Sequence, residues 1–170
     1  MYDPTVFENL KVAFENHVYD LDNLDGEIVI LDRSDLMDFS VLGRRFSIQF
    51  VLAGKTEVKA EVRLEAALED LAGEILEWPG SMPGCSLLLR FAKEIMKEEQ
   101  CLDIKNVLAG IWEGDVQITQ TLSREYEQER PGFLNRIEVG FGKKLNEENM
   151  GEIRSFLETV LKSLEELNNI

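Results

Sequence analysis

The sequence predicts an α+β fold: an antiparallel sheet of about six strands with four helices, read as two α-β-β-β-α repeats related by duplication. Three observations predict it. From Glu57 to Trp78 the apolar spacing changes in mid-course. Val58, Ala60, Val62 and Leu64 alternate with Lys59, Glu61 and Arg63, the period of a half-buried strand. Ala67, Leu68, Leu71, Ala72, Ile75 and Leu76 then follow at helical spacing. The same change recurs near the C-terminus, where Ile137, Val139 and Phe141 alternate before a helical stripe that starts at Met150. Between the two lies Trp78-Pro79-Gly80-Ser81-Met82-Pro83-Gly84, which neither a helix nor a central strand can accommodate. The boundaries that follow are a first half over 1–78, a linker over 79–85 and a second half over 86–170, the two halves completing one core.

Taken in order, Asp3-Pro4 is a helix start: the aspartate accepts from free N–H groups, and the proline's missing donor costs nothing there. Val6, Phe7, Leu10, Ala13, Phe14 and Val18 are the buried stripe of that helix. Ile28 to Leu31 reads as a central strand, and 32–43 fits either a short helical turn or an extended connection. Arg45 to Leu52 is the clearest strand, with Phe46, Ile48, Phe50 and Leu52 on one face. Ala53-Gly54-Lys55-Thr56 turns it back into the strand at 57–64, and a helix over 64–77 covers the phenylalanine face.

In the second half, Leu87, Leu88, Phe91, Ala92, Ile95 and Met96 predict a helix over 86–100 with Ser86 as its cap. Leu102 to Trp112 reads as a strand, and Glu113-Gly114-Asp115 as a hairpin turn. Val116, Ile118 and Leu122 mark the returning strand; a charged loop over 124–132 and a strand over 135–141 follow. Asn146 opens the last helix, with Glu147 and Glu148 favourable to its dipole. At ~1.5 Å per residue that helix spans about 30 Å.

The charge is the strongest global signal. With 33 acidic and 18 basic residues the chain carries a net charge of −15. Such a surface repels phosphate backbones and anionic membranes, so neither nucleic acid nor membrane is an expected partner. No apolar run approaches the ~20 residues of a membrane span. Cys85 and Cys101 form no Cys-x-x-Cys pair, and no secretory segment opens the chain, so both read as reduced cytoplasmic thiols.

Chemistry-bearing residues are sparse. Asp20, Asp22 and Asp25 form the one dense carboxylate loop and are the weak candidates for a metal. Counted as a calcium loop from Asp20, position 5 is Leu24, position 6 is Asp25 and position 12 is Leu31, where oxygen, glycine and glutamate are needed. His17 is the single histidine, which excludes a histidine zinc triad within the chain. No serine sits in a Gly-x-Ser-x-Gly context, and no glycine loop has phosphate-binding spacing. No catalytic residue and no cofactor is therefore assigned. Trp78, Trp112 and Phe156 are the candidate binding residues, because aromatic side chains dominate interaction hot spots.

The functional expectation is a non-enzymatic interaction, regulatory or chaperone-like module whose partner is another protein or a second copy, held by a sheet edge or the long final helix. In size, charge and mixed make-up the chain resembles the small acidic chaperones of bacterial secretion systems, with no shared motif. A second reading is an enzyme or small-ligand binder with a pocket between the two halves near the 78–84 loop; the ligand stays unnamed. A third is an acidic mimic of nucleic acid.

Overall fold

The computed structural model describes residues 5–170. Helix α1 (Val6–Asn23) begins at Thr5, whose hydroxyl accepts from the Glu8 N–H at 3.2 Å. The predicted start at Asp3-Pro4 lies outside the described residues. Three strands follow, β1 (Ile28–Asp38), β2 (Gly43–Leu52) and β3 (Lys55–Ala66), then the short helix α2 (Leu68–Ile75). After the proline-glycine loop come β4 (Ser86–Ile95), α3 (Gln100–Ile111), β5 (Val116–Ser123) and β6 (Phe133–Phe141). A 3-10 turn (Glu147–Glu152) leads into α4 (Ile153–Asn169), and the Asn146 side chain accepts from Glu148 N–H at its start.

The strands form one six-stranded sheet in the order β1-β2-β3-β4-β6-β5, and every neighbouring pair is antiparallel. The α+β class, the number of helices and the six-stranded antiparallel sheet are those the sequence predicts, though not every helix falls where the spacing places it. β3 and β4 pair directly across the expected linker, from Lys59 opposite Ala92 to Glu65 opposite Ser86. One core joins both halves: Phe46, Phe50, Val62 and Leu64 from the first meet Leu89, Phe91, Ile137 and Val139 from the second.

Helices α1, α3 and α4 pack together on one face of this sheet. α1 buries Phe7, Leu10, Phe14 and Val18 there, and α4 buries Ile153, Leu157, Val160, Leu164 and Leu167. The other face is polar. Gln49, Glu61, Arg90, Glu138 and Thr119 lie opposite one another in a row across five strands. Gln49 donates to Glu61 at 2.9 Å, Arg63 donates to Glu61 at 3.0 Å, and Arg90 holds Glu138 at 2.8 Å. Among the described residues, no helix is long and apolar enough to cross a membrane.

Several expectations are corrected. Residues 86–95 are a strand, with β3 on one side and β6 on the other. As an interior strand β4 carries apolar groups on both faces. Leu88 and Ala92 fill the gaps between Leu87, Leu89, Phe91 and Ile95, so the run imitates helical spacing. Residues 102–111 are helical, not extended, with Ile104 and Leu108 buried one turn apart. The turn at Glu113-Gly114-Asp115 therefore joins a helix to a strand, Gly114 taking φ +101°. The second half runs strand-helix-strand-strand-helix instead of α-β-β-β-α.

In the first half, Ile28–Leu31 opens an edge strand rather than a central one, and that strand continues through 32–38. β3 extends to Ala66, and α2 is too short to cover the phenylalanine face, which α1 and α4 cover instead. The apolar stripe of α4 is spent on the sheet, so the final helix does not present it for association.

Candidate functional site

Trp112 and Phe156 are brought together. Their ring centroids lie 5.4 Å apart, each also packs on Phe141, and Phe156 meets Phe14 edge-on at 5.9 Å. Trp112 is buried and donates its indole N–H to Ser163 Oγ at 3.0 Å. The cluster forms because the C-terminal end of α3 and the first turn of α4 converge over the end of β6. Half-buried Phe156 also lines a cleft of about 430 Å³ with Phe14, Leu87, Phe141, Lys143 and Asn149. Trp78 stands apart from both, 48% exposed, at the mouth of the loop that Ser81 ties to the Gly73 carbonyl.

The acidic loop does its bonding locally. Asp22 accepts from the Ile30 N–H at 3.1 Å, and the Asp20 carbonyl accepts from Leu24 and Asp25. Among the described residues no three His, Cys, Asp or Glu side chains converge as a metal site requires. Cys85 is buried, and burial, followed by the charges of Asp70 and Glu74, pushes its thiol up to about 12. The Cys101 thiol is also pushed up, first by burial and then by Glu98.

The surface feature that stands out is at one end of the sheet. Leu36, Met37, Phe39, Val41 and Leu42 are all exposed on the end of β1 and the turn into β2, Phe39 at 81%. Leu36, Met37, Phe39 and Val41 form one wall of a groove of about 610 Å³. Its other wall comes from Ala66, Ala67 and Asp70, and Lys144 stands at its rim. The turn itself is held rather than loose: Asp38 accepts from both the N–H and the hydroxyl of Ser40, and Leu42 takes φ +52°.

The cations beside the groove are already paired. Arg44 holds Asp35 at 3.0 Å and Glu8 as well, Arg45 holds Glu65 at 2.8 Å, and Lys144 holds Asp70. Arg44 also lies 4.6 Å over the Phe7 ring. What the groove offers is consequently apolar area rimmed by charges that are already paired with one another. Sequence reasoning missed this surface because Leu36, Met37 and Phe39 fit neither period cleanly. Their failure to join any stripe was the available signal, since large apolar residues outside every buried face are free for a partner.

No protein-family model, no curated protein and no solved structure matches this chain.

Proposed function

We propose that this protein is a non-enzymatic, acidic protein-interaction module of regulatory or chaperone-like kind, which receives an apolar segment of a partner on the open end of its sheet. The observation that carries the reading is the row Leu36, Met37, Phe39 and Val41, exposed together along a groove, with Leu42 exposed in the same turn. A monomeric surface rarely leaves contiguous large apolar groups open unless they meet a partner. The charge of −15 adds a preference for partners with basic flanks.

The test is selection of peptides from a displayed random library, followed by fluorescence anisotropy with the wild type and with Phe39→Asp. Expected are peptides with apolar anchors, bound by the wild type and lost on substitution while the unfolding temperature holds. Binding indifferent to both Phe39→Asp and Val41→Asp overturns the reading, as does the absence of any retained peptide.

One observation favours small-ligand binding as a second reading. The cleft floored by Phe14, Phe141 and Phe156 falls in the size range of ligand sites. It lies at the aromatic cluster rather than at the 78–84 loop. A small-molecule thermal-shift screen with Phe156→Ala as control decides it.

A further inference from the structure

Among the described residues, strand β1 has β2 on one side and no strand on the other, so one line of its backbone groups is open. The opening is bounded at both ends. At one end the Ile30 N–H is taken by the Asp22 carboxylate at 3.1 Å. At the other, the strand itself ends at Asp38, whose side-chain carboxylate accepts from Ser40 in the turn. The free stretch is therefore Leu31–Met37, and its midpoint is Ser34.

We propose that this edge pairs with the same edge of a second copy, antiparallel and with Ser34 opposite Ser34 at a two-fold axis. The proposal deepens the interaction reading above and rests on it for the exposed side chains at Leu36 and Met37. Charge selects the register. A two-fold axis perpendicular to the sheet keeps the helices of both copies on one face and places residues of like parity opposite one another. Centred on Ser34, it sets Arg33 against the partner's Asp35 twice and Leu31 against the partner's Met37 twice. One step to one side sets Arg33 against Arg33. One step to the other sets Asp35 against Asp35 and Asp32 against Asp38. Like charges directly opposite destabilise a strand pair and unlike charges support it, so a single register near the middle of the strand is favoured.

Asp35 is already held by Lys11 and Arg44 of its own chain, so the partner's Arg33 joins it as a further neighbour and not as its first cation. Leu31 and Met37 are exposed at 47% and 42%, and pairing covers both. Arg33 is held by Glu15 from α1 and lies 5.5 Å over the Phe46 ring, which orients it without burying it. The joined edges make one sheet of two six-stranded halves, and the grooves of Phe39 and Val41 fall on either side of the axis.

Sedimentation velocity over a concentration series, together with cysteine cross-linking, tests the pairing. The wild type should show a reversible monomer–dimer equilibrium, and Arg33→Asp, which sets aspartate against Asp35 twice, should weaken it by roughly tenfold. Ser34→Cys should form a disulfide-linked dimer quickly under mild oxidant, since opposed Cβ atoms in a strand pair lie ~5 Å apart. Thr121→Cys, on the opposite sheet edge, and the unsubstituted protein should stay uncross-linked. Should Arg33→Asp unfold the chain, the Ser34→Cys result stands alone. A monomer at millimolar concentration overturns the proposal, as does a dimer cross-linked through Thr121→Cys and not through Ser34→Cys. Peptide binding lost on Phe39→Asp in a strictly monomeric protein would leave the interaction reading standing and remove the self-pairing alone.

Discussion

Trp112 and Ser163 lock α3 to α4: the indole N–H donates to the hydroxyl at 3.0 Å, and the hydroxyl donates onward to the Thr159 carbonyl at 2.9 Å. Both partners are buried, Ser163 completely. Ser163 stands on the sheet-facing side of α4 among leucine and valine, where an unpartnered hydroxyl would be costly. The tryptophan supplies the reason for a serine at that point.

Removing one partner of this bond should cost more than the bond itself is worth. Ser163→Ala leaves a buried indole N–H without an acceptor, for a loss of about 1–3 kcal/mol. In a Trp112→Phe background the same change should cost distinctly less, and a double-mutant cycle should return a coupling of about 1 kcal/mol. Urea unfolding of the four proteins measures it. Additive losses would mean that the two side chains are adjacent but not coupled.

Gly132, which closes the β5–β6 connection, should tolerate replacement far less than Gly54 in the β2–β3 turn. It takes φ +104°, and an added Cβ would come under 3.0 Å from the backbone oxygen of Ile95 and to 3.3 Å from Met96 Cα. Neither neighbour is a side-chain end that can swing away. Gly132→Ala should lose more than ~2 kcal/mol, because strain at positive φ is joined by a backbone clash. Gly54→Ala, at φ +80° with open space around it, should lose only ~1 kcal/mol. Equal thermal shifts for the two variants would refute the distinction.

These two sites also show where sequence reasoning holds and where it stops. The strands around Phe46 to Leu52 and Val58 to Leu64 were legible because each has a buried and a wet face, which leaves a clean period of two. β4 was not, because an interior strand with Leu88 and Ala92 on its second face loses that period. α3 was hard to see for the opposite reason: Ile104 and Leu108 are its only fully buried residues, too few to draw a stripe. Of the site candidates, Trp112 and Phe156 were visible as aromatics, but their convergence depends on strand order, which local spacing does not encode. The groove was hidden because exposure belongs to the folded surface; Phe39 and Phe46 look alike in a sequence, and one is open while the other is buried.

Cys85 should behave as an inert thiol. Burial holds it up at about 12, with Asp70 and Glu74 adding to the effect, so almost no thiolate is present at neutral pH. Cys101 is half-buried, its sulfur 3.8 Å from the Asn135 amide nitrogen. Iodoacetamide at pH 8 should modify Cys101 slowly and Cys85 only at the rate of global unfolding. Mass spectrometry of the two tryptic peptides reads this directly, and early modification of Cys85 would mean that the Cys85–Leu145 bridge opens locally.

Acid should loosen the attachment of α1 to the edge of the sheet. Glu8 on the helix and Asp35 on β1 share Lys11 and Arg44, with Lys11 bonded to Asp35 at 2.9 Å and to Glu8 at 3.0 Å. Partial burial raises both carboxyls, but the hydrogen bonds and charges of Arg44 and Lys11 outweigh it, and both end below their ordinary values. A depressed folded value means that the folded protein binds fewer protons than the unfolded chain. The contribution is therefore complete above the ordinary carboxylate range and drains away as pH falls through ~4 toward the depressed values. Urea midpoints for the wild type should drop over that interval. A Glu8→Gln/Asp35→Asn variant should start lower at neutral pH and decline less steeply. Parallel curves for the two proteins would mean that these carboxylates titrate alike folded and unfolded, and that the four-residue ionic contact does not hold α1 to β1.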